Sequence, residues 1–330
     1  MAPIYSLVVP IFNEEAVLPV LLHRLDDLLG RLDGPAEVIF VDDGSRDAGP
    51  IVLEGKARAD SRYRFVKLSR NFGHQIAITT GMEHASGDAV VVMDADLQDP
   101  PEVVLEMIAK WKEGYEVVYA QRLSREGESR FKRLTADLFY RLLGCLSDVE
   151  IPRDVGDFRL VDRKALDCFL TMPERDRFVR GMFAWIGFRQ AVVQFHRPAR
   201  AAGETKYSLT KMVRLAANGV VSFSDAPLRL ALWAGSAIST LAILYGLWVI
   251  GLWAMNANLA RGWSSIILVT TLLGGANMLM TGVLGVYIGR IHTEVKRRPL
   301  YVVDRAVGFD AVAEAAPIRK PAPAVEARRA

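Results

Sequence analysis

The sequence predicts an α/β fold with a mostly parallel sheet, amphipathic helices beside it, and two membrane-spanning helices near the C-terminus. Three observations carry this. Short β-branched runs alternate with helical stretches through residues 5–120, unusual polar residues cluster where those strands should end, and two long uncharged runs occupy residues 230–260 and 262–289. At 330 residues the chain exceeds the ~150 expected of one domain. It is 51% hydrophobic yet 24% charged, the latter normal for a soluble domain, so the apolar excess is local. That balance excludes disorder and a multi-span channel. Each uncharged run exceeds the ~20 residues a membrane helix needs.

In chain order, strands are expected at Tyr5–Ile11, 37–41, 64–68, 89–93 and 116–120, with helices beginning near Glu14, Asp47, His74 and Pro101. Alternating strands and helices imply βαβ units and a parallel sheet covered on both faces. Such sheets bind ligands beyond the carboxyl ends of their strands. Asn13-Glu14, Asp42-Asp43-Gly44-Ser45 and Asp94-Ala95-Asp96 fall there.

From Arg122 to Arg229 the pattern is less regular. Residues 129–146 read as an amphipathic helix, with Phe131, Leu134, Leu138, Leu142 and Cys145 on one face; it packs on the core or lies on a membrane surface. Residues 208–223 show the same pattern directly before the first apolar run, where the interfacial reading is favoured. The short connection around Arg261-Gly262-Trp263 makes the two runs an antiparallel hairpin. Arg229 before it, and Arg290, Lys296, Arg297 and Arg298 after it, place both long ends in the cytoplasm. Asn277 suits helix packing, and Gly274, Gly275, Gly282, Gly285 and Gly289 suit close packing, including between subunits. The Ala/Pro-rich stretch from Ala311 is expected to be disordered. The expected division is therefore 1–207 catalytic, 208–229 interfacial, 230–290 membrane and 291–330 cytosolic tail.

Other classes are disfavoured. A net charge of +3, from 41 basic and 38 acidic residues, is too small for a nucleic-acid partner. Cys145 and Cys168 form neither a disulfide framework nor a metal finger, and the five histidines show no ligand-like pairing. The N-terminus, with no basic region and an early acidic pair, does not read as a signal peptide. Neither G-x-G-x-x-G nor G-x-x-x-x-G-K-[ST] is present, which argues against dehydrogenase and ATPase.

Asp94 and Asp96 follow a hydrophobic strand at i, i+2 spacing, which would put both carboxylates on one face. They would repel unless a cation or donors lay between them. Hard oxygen ligands beside phosphate oxygens suit Mg²⁺ or Mn²⁺. The alternative is a turn in which Asp caps backbone groups. Leu97-Gln98-Asp99-Pro100-Pro101 and the other occupied strand ends favour a metal–diphosphate site. One strand earlier, Asp42-Asp43-Gly44-Ser45 offers a tight turn, with Asp47 placed to cap the next helix and an acidic group available to a base or ribose.

Val9-Pro10-Ile11-Phe12-Asn13-Glu14, Val41-Asp42-Asp43-Gly44-Ser45, Asn71-Phe72-Gly73 and Asp94-Ala95-Asp96-Leu97-Gln98-Asp99-Pro100-Pro101-Glu102 together resemble the inverting family 2 glycosyltransferases, which have the GT-A fold. Gly156-Asp157-Phe158-Arg159-Leu160, Arg177-Phe178-Val179-Arg180-Gly181 and Ala202-Gly203-Glu204-Thr205-Lys206-Tyr207 resemble the polyprenyl-phosphate branch, which includes dolichol-phosphate mannose synthase and the bactoprenol glucosyltransferases. The two C-terminal spans, ending Tyr287-Ile288-Gly289-Arg290, resemble the bacterial members. The likeness covers about residues 4–303 and rests on a specific set of motifs, not on one D-x-D.

The resemblance implies that Pro10, Phe12, Glu14 and Asp43 line the nucleotide pocket, with Phe12 where relatives often have Tyr, so stacking survives and a hydroxyl contact does not. Asp94 and Asp96 would hold Mg²⁺ or Mn²⁺, and with Ala95 and Gln98 the sugar diphosphate. Arg122, Arg200 and Lys206 would bind phosphate oxygens. Arg125 and Arg133, with Lys206, would meet the lipid phosphate, unless the first two are simply an exposed basic face. Asp157 is implied as a further catalytic carboxylate that orients the acceptor or a sugar hydroxyl, a role Asp154 could also claim.

The implied reaction moves a hexose from a nucleotide sugar, UDP-glucose first, to undecaprenyl phosphate at the cytosolic face of the bacterial inner membrane. Galactose, N-acetylhexosamine, mannose and a modified arabinose stay open as the sugar. Arg197, Arg200, Lys206, Lys211 and Arg214 would suit anionic membrane lipids. Two other readings stand beside it. A processive polysaccharide synthase would share the fold, but its Gln-x-x-Arg-Trp signature is missing: Gln190 and Gln194 lead to no Arg-Trp. A non-catalytic nucleotide- or lipid-binding adaptor would not need Asp94, Asp96, Asp157 and Lys206.

Overall fold

β1 (Tyr5–Ile11) is buried at all seven positions, as a strand covered on both faces must be. The computed structural model describes residues 3–123, 155–196, 262–309 and some positions between 228 and 248. The chain continues through α1 (Leu18–Arg31), β2 (Ala36–Asp42), α2 (Gly49–Ala59), β3 (Tyr63–Leu68), α3 (His74–His84), β4 (Ala89–Val92), α4 (Val103–Lys112), β5 (Val117–Arg122), β6 (Val155–Asp162), α5 (Arg163–Thr171), α6 (Val179–Ile186), β7 (Gln190–Phe195), α7 (Trp263–Val295) and β8 (Val303–Val307). The described strands form one sheet in the order β7-β5-β6-β4-β1-β2-β3-β8.

β1 pairs in parallel with β2 and β4, β2 with β3, and β5 with β7. β6 runs against both β4 and β5, and β8 runs against β3. The expected mostly parallel α/β sheet is therefore present, with β6 and β8 as reversed strands. α1 buries Leu18, Leu21, Leu25 and Leu28, the 3–4 spacing of a single helix face. α3 approaches β1 so closely that a Cβ on Gly81 would come 2.2 Å from Val8 Cγ1.

The five expected N-terminal strands form within two residues of their expected ends, but three helices start later. α1 starts at Leu18 rather than near Glu14, and α2 at Gly49 rather than near Asp47, each with a proline in its first turn. Proline belongs there, because the first turn has no use for its missing N–H and suits its fixed φ. α4 starts at Val103, beyond Pro100-Pro101.

Two compact units are present: one contains the sheet, and the other contains α7. In the second, residues 272–295 make the one described helix long and apolar enough to cross a bilayer. Described positions between 228 and 248 are helical, and a Cβ on Gly235 would lie 2.6 Å from Met280 Cε of α7. Asn277 accepts a hydrogen bond from the Thr281 hydroxyl one turn away, at 3.3 Å. Among the described residues, nothing lies within 4 Å of a Cβ placed on Gly274, Gly275, Gly282, Gly285 or Gly289.

The C-terminal segment brings a feature that the sequence pattern does not announce. After α7, residues 303–307 return to the sheet and cover the edge of β3, with Ser69 N–H donating to Val302 O at 2.9 Å. Tyr301 donates to Glu83, and Arg305 pairs with Glu54 at 2.8 Å. The helices expected at 129–146 and 208–223, most of the first membrane run and the tail from Ala311 lie outside the described residues.

Candidate functional site

At the carboxyl ends of β1, β2 and β3, three loops are joined by backbone-to-side-chain hydrogen bonds. Asn13, at φ 55°, donates its N–H to Ser45 Oγ at 2.9 Å and accepts Arg46 N–H on Oδ1 at 2.8 Å. Asp42 accepts Ser45 N–H at 3.0 Å. Asp43 is buried and takes Phe72 N–H on one oxygen (2.7 Å) and Gly73 N–H on the other (3.0 Å). The expected nucleotide-pocket carboxylate is thus also the tie between the β2 and β3 loops. Asp47, expected to cap α2, does accept Gly49 N–H at 3.2 Å, while its other oxygen takes Glu15 N–H at 3.0 Å.

Gly44 makes this approach possible. It sits at φ 75°, and a Cβ there would lie 2.7 Å from both Arg70 C and Asn71 N. Pro10 lies within β1 opposite Val41, Phe12 is 39% exposed just beyond the strand end, and Glu14 follows in the same loop.

The acidic cluster differs from expectation in its geometry. β4 stops at Val92, so Asp94 and Asp96 are gathered by a turn, not by the alternation of a strand. Leu97 at φ 59° folds the turn back. Asp96 Oδ1 accepts Gln98 N–H at 3.1 Å, and Asp99 Oδ2 accepts Asp94 N–H at 3.2 Å. Backbone capping and a ligand site are therefore not exclusive here: Asp99 caps through Oδ2 and keeps Oδ1 out of that bond.

The cost of crowding these acids is visible. Burial, together with the Asp157 and Asp96 charges and against that of His74, pushes the Asp94 carboxyl up. Burial and the Asp94 charge push Asp99 up to about 7, although Arg122 opposes them. Asp99 Oδ1 is buried without a hydrogen-bond partner. A hard divalent cation would relieve this repulsion, and an all-oxygen donor set fits Mg²⁺ or Mn²⁺. Among the described residues no cluster of three or more His, Cys, Asp or Glu forms a complete ligand set. Asp94 and Asp96 would hold such an ion only together with oxygens from elsewhere.

Arg122 ends β5 as expected. Its guanidinium lies against Gly156, where a Cβ would come 3.0 Å from Nη2, and its Nε is buried without a hydrogen-bond partner. Its charge offsets Asp99 from beside the acidic turn. Arg125, Arg133, Asp154, Arg200 and Lys206 lie outside the described residues.

Asp157 arrives from the reversed strand. The β4–β6 register pairs Ala89 with Asp162 and Val92 with Arg159, so β6 enters the sheet from the side of the acidic turn. Arg180 binds it in two-pronged fashion, Nε to Oδ1 at 2.9 Å and Nη2 to Oδ2 at 3.1 Å. Arg159, fully buried, adds a contact to Oδ1 at 3.3 Å. Gln75 donates to Oδ2 at 3.1 Å and accepts Val179 N–H at 3.1 Å, tying α3 and α6 to β6. Burial alone would raise the Asp157 carboxyl, but Arg180, the His74 hydrogen bond and Arg159 hold it well below the usual carboxylate range.

His74 Nε2 completes the group, 3.3 Å from Asp157 Oδ2 and 3.5 Å from Asp94 Oδ1. Loss of surrounding water opposes its charge, yet the Asp157 hydrogen bond and the Asp94 and Asp157 charges push its pKa up to about 9. The linear pattern did not single out His74, Gln75 or a role for Arg180. The available signals were their neighbours: His74-Gln75 directly follows Asn71-Phe72-Gly73, and Arg180 lies inside 177–181.

Residues 6–170 match the family described as glycosyl transferase family 2. An uncharacterised glycosyltransferase of Bacillus subtilis is 49% identical, over 93% of this chain and 95% of that protein. A prophage bactoprenol glucosyl transferase homologue of Escherichia coli is 39% identical over 91% and 98%. A prophage-derived bactoprenol glucosyl transferase of Shigella flexneri is 39% identical over 91% and 97%.

Proposed function

The chain belongs to glycosyl transferase family 2, and from that premise we propose that it moves a hexose from a nucleotide sugar to a polyprenyl phosphate. The observation that carries this reading is the likeness to bactoprenol glucosyl transferases, which runs through nearly the whole of both chains. Glucose from UDP-glucose is the first donor to test, and undecaprenyl phosphate the acceptor. Residues 272–295 would anchor the enzyme in the bacterial inner membrane, paired with the run at 230–260 as a hairpin that leaves both ends cytoplasmic.

The roles follow from chemistry at the sheet end. Phe12 would stack on the base, while Pro10, Glu14 and Asp43 shape the pocket around it. Ala95 and Gln98 would meet the sugar diphosphate, with Asp94 and Asp96 holding Mg²⁺ or Mn²⁺. The cation would neutralise the departing diphosphate. Arg122, Arg200 and Lys206 would carry further phosphate charge, and Arg125, Arg133 and Lys206 would receive the lipid phosphate.

The acceptor oxygen is already ionised at neutral pH, so it needs little help from a base. Asp157 suits that economy: with donors on both oxygens and its proton affinity depressed, it orients groups rather than taking up a proton. Attack from the side opposite the leaving diphosphate inverts the anomeric centre.

The test uses purified full-length protein in detergent, undecaprenyl phosphate, Mg²⁺ or Mn²⁺, and a panel of radiolabelled nucleotide sugars. Label should enter the organic phase with one donor and be lost on Asp96→Ala. Nucleotide binding without transfer from any donor would instead favour the non-catalytic adaptor.

A further inference from the structure

The geometry points to His74 as a positioning residue that sets the direction of the Asp94 carboxylate by bridging it to Asp157. The inference rests on the glycosyltransferase reading above and concerns how its donor site is built. Asp157 is the fixed end of the bridge. It is anchored by both prongs of Arg180, by the buried Arg159 and by Gln75. Gln75 also fastens the first turn of α3 to α6 through Val179 N–H. His74 is the neighbouring residue of that turn, beside a Gln75 side chain held at two points.

The other end of the bridge is less constrained. Asp94 lies past the last ladder pair of β4, in the turn, and its side chain is 32% exposed. Its backbone N–H is held by Asp99, which fixes the peptide and leaves the carboxylate direction open. His74 Nε2, 3.5 Å from Asp94 Oδ1, is the one ion-pair contact to that carboxylate among the described residues. One imidazole edge that is hydrogen-bonded to a locked carboxylate and ion-paired with an unlocked one transfers the order of the first to the second. Partners behind a ligand of this kind typically change metal affinity by about 10–100-fold when removed. At 45% exposure, His74 is itself accessible from the site, yet its role does not require it to touch the substrate.

The experiment compares wild type, His74→Ala and His74→Gln in the full-length protein in detergent. Free Mn²⁺ is followed by electron paramagnetic resonance during titration with UDP present. Separately, Michaelis constants are measured for the nucleotide sugar and for undecaprenyl phosphate, with thermal melts alongside. His74→Ala should weaken Mn²⁺–UDP binding by about tenfold or more. It should raise the donor constant in step, and leave the acceptor constant and melting temperature near wild type. His74→Gln, which can still donate an N–H to one carboxylate, should recover part of the loss.

Unchanged Mn²⁺–UDP binding in a folded His74→Ala would overturn the inference, as would equal shifts of both Michaelis constants with a lowered melting temperature. If His74→Ala does not fold, the same titration on His74→Gln decides the matter. A wild type that binds Mn²⁺–UDP but transfers no sugar would sink the proposed reaction while the titration still judged His74. A wild type that binds no Mn²⁺–UDP would overturn both.

Discussion

Arg180 holds Asp157 by two parallel contacts, 2.9 Å and 3.1 Å, although the two residues come from different elements and β6 runs against its neighbours. The pair turns a carboxylate from the expected catalytic position into the hub on which α3, α6 and the acidic turn are aligned. Its removal should be felt in stability as well as in activity.

Asp157→Asn would leave Arg159, which is fully buried, without its anionic partner, and would weaken Arg180's grip. Breaking a buried pair from one side typically costs about 3–5 kcal/mol. The variant should melt well below wild type in a thermal scan, and sugar transfer should be lost even at temperatures where it stays folded. A variant with wild-type melting and no activity would mean that Asp157 acts only in chemistry.

The same pair predicts a pH dependence. The Asp157 carboxyl is held well below the usual range, so the folded state binds this proton more weakly than the unfolded state. The stability it contributes is therefore fully present above the ordinary Asp value of about 4, and is lost as pH falls from there toward the depressed folded value. In denaturant titrations, the gap between wild type and Asp157→Asn should narrow below about pH 4, and should also shrink as pH rises above about 6.5, where wild type gives up the charged His74 that Asp157 helps to hold. A gap that widened in acid would contradict the assignment.

Asp96→Asn separates the turn from the charge. The amide oxygen can still accept Gln98 N–H, so the backbone turn around the buried Asp96 should survive and the variant should stay folded in a thermal scan. Cation-dependent nucleotide binding should fall sharply, as read by calorimetry with and without Mg²⁺. Retained cation dependence would remove Asp96 from the ligand set.

Gly44→Ala should be destabilising out of proportion to its size. It places a Cβ at φ 75° and 2.7 Å from the Arg70–Asn71 peptide, and strain of this kind is worth about 1–3 kcal/mol. Because Asp43 ties the same two loops, nucleotide affinity should drop with it. Equal melting temperatures would show that the loops part without penalty.

A stop codon after Val302 removes β8 and bares the β3 edge. Hydrogen exchange of the Phe65, Lys67 and Ser69 amides, which face β8, should speed up, and the protein should become prone to aggregation, as unpaired edges are. Tyr301→Phe, which loses the hydroxyl's bond to Glu83, should cost about 1 kcal/mol in a denaturant titration. Unaltered exchange at Phe65, Lys67 and Ser69 in the truncated chain would show that β8 contributes nothing to that edge.

Much of the architecture was legible because it is local. β1 was readable to its ends, since seven successive residues are buried and apolar-rich. The proline positions at α1 and α2 held the correct starts, two to four residues beyond the polar signals. β8 was not legible. It is five residues long, and its partner lies more than two hundred residues earlier, so neither period nor composition marks it. The acidic turn was half legible. Its residues stood out, but the inference that strand alternation aligns them failed because pairing ends at Val92.

The sequence by itself determined the α/β class, the polar strand ends, the D-x-D pair and the apolar C-terminal runs, because each is written in the periodicity or chemistry of neighbouring residues. Only the tertiary structure decided what those residues touch. The reversed direction of β6 brings Asp157 to the acidic turn, and the first turn of α3 places His74 within 3.3 Å of Asp157 and 3.5 Å of Asp94. Such contacts depend on strand direction and register, which balance the burial of whole faces across the sheet and so cannot be read from any single segment.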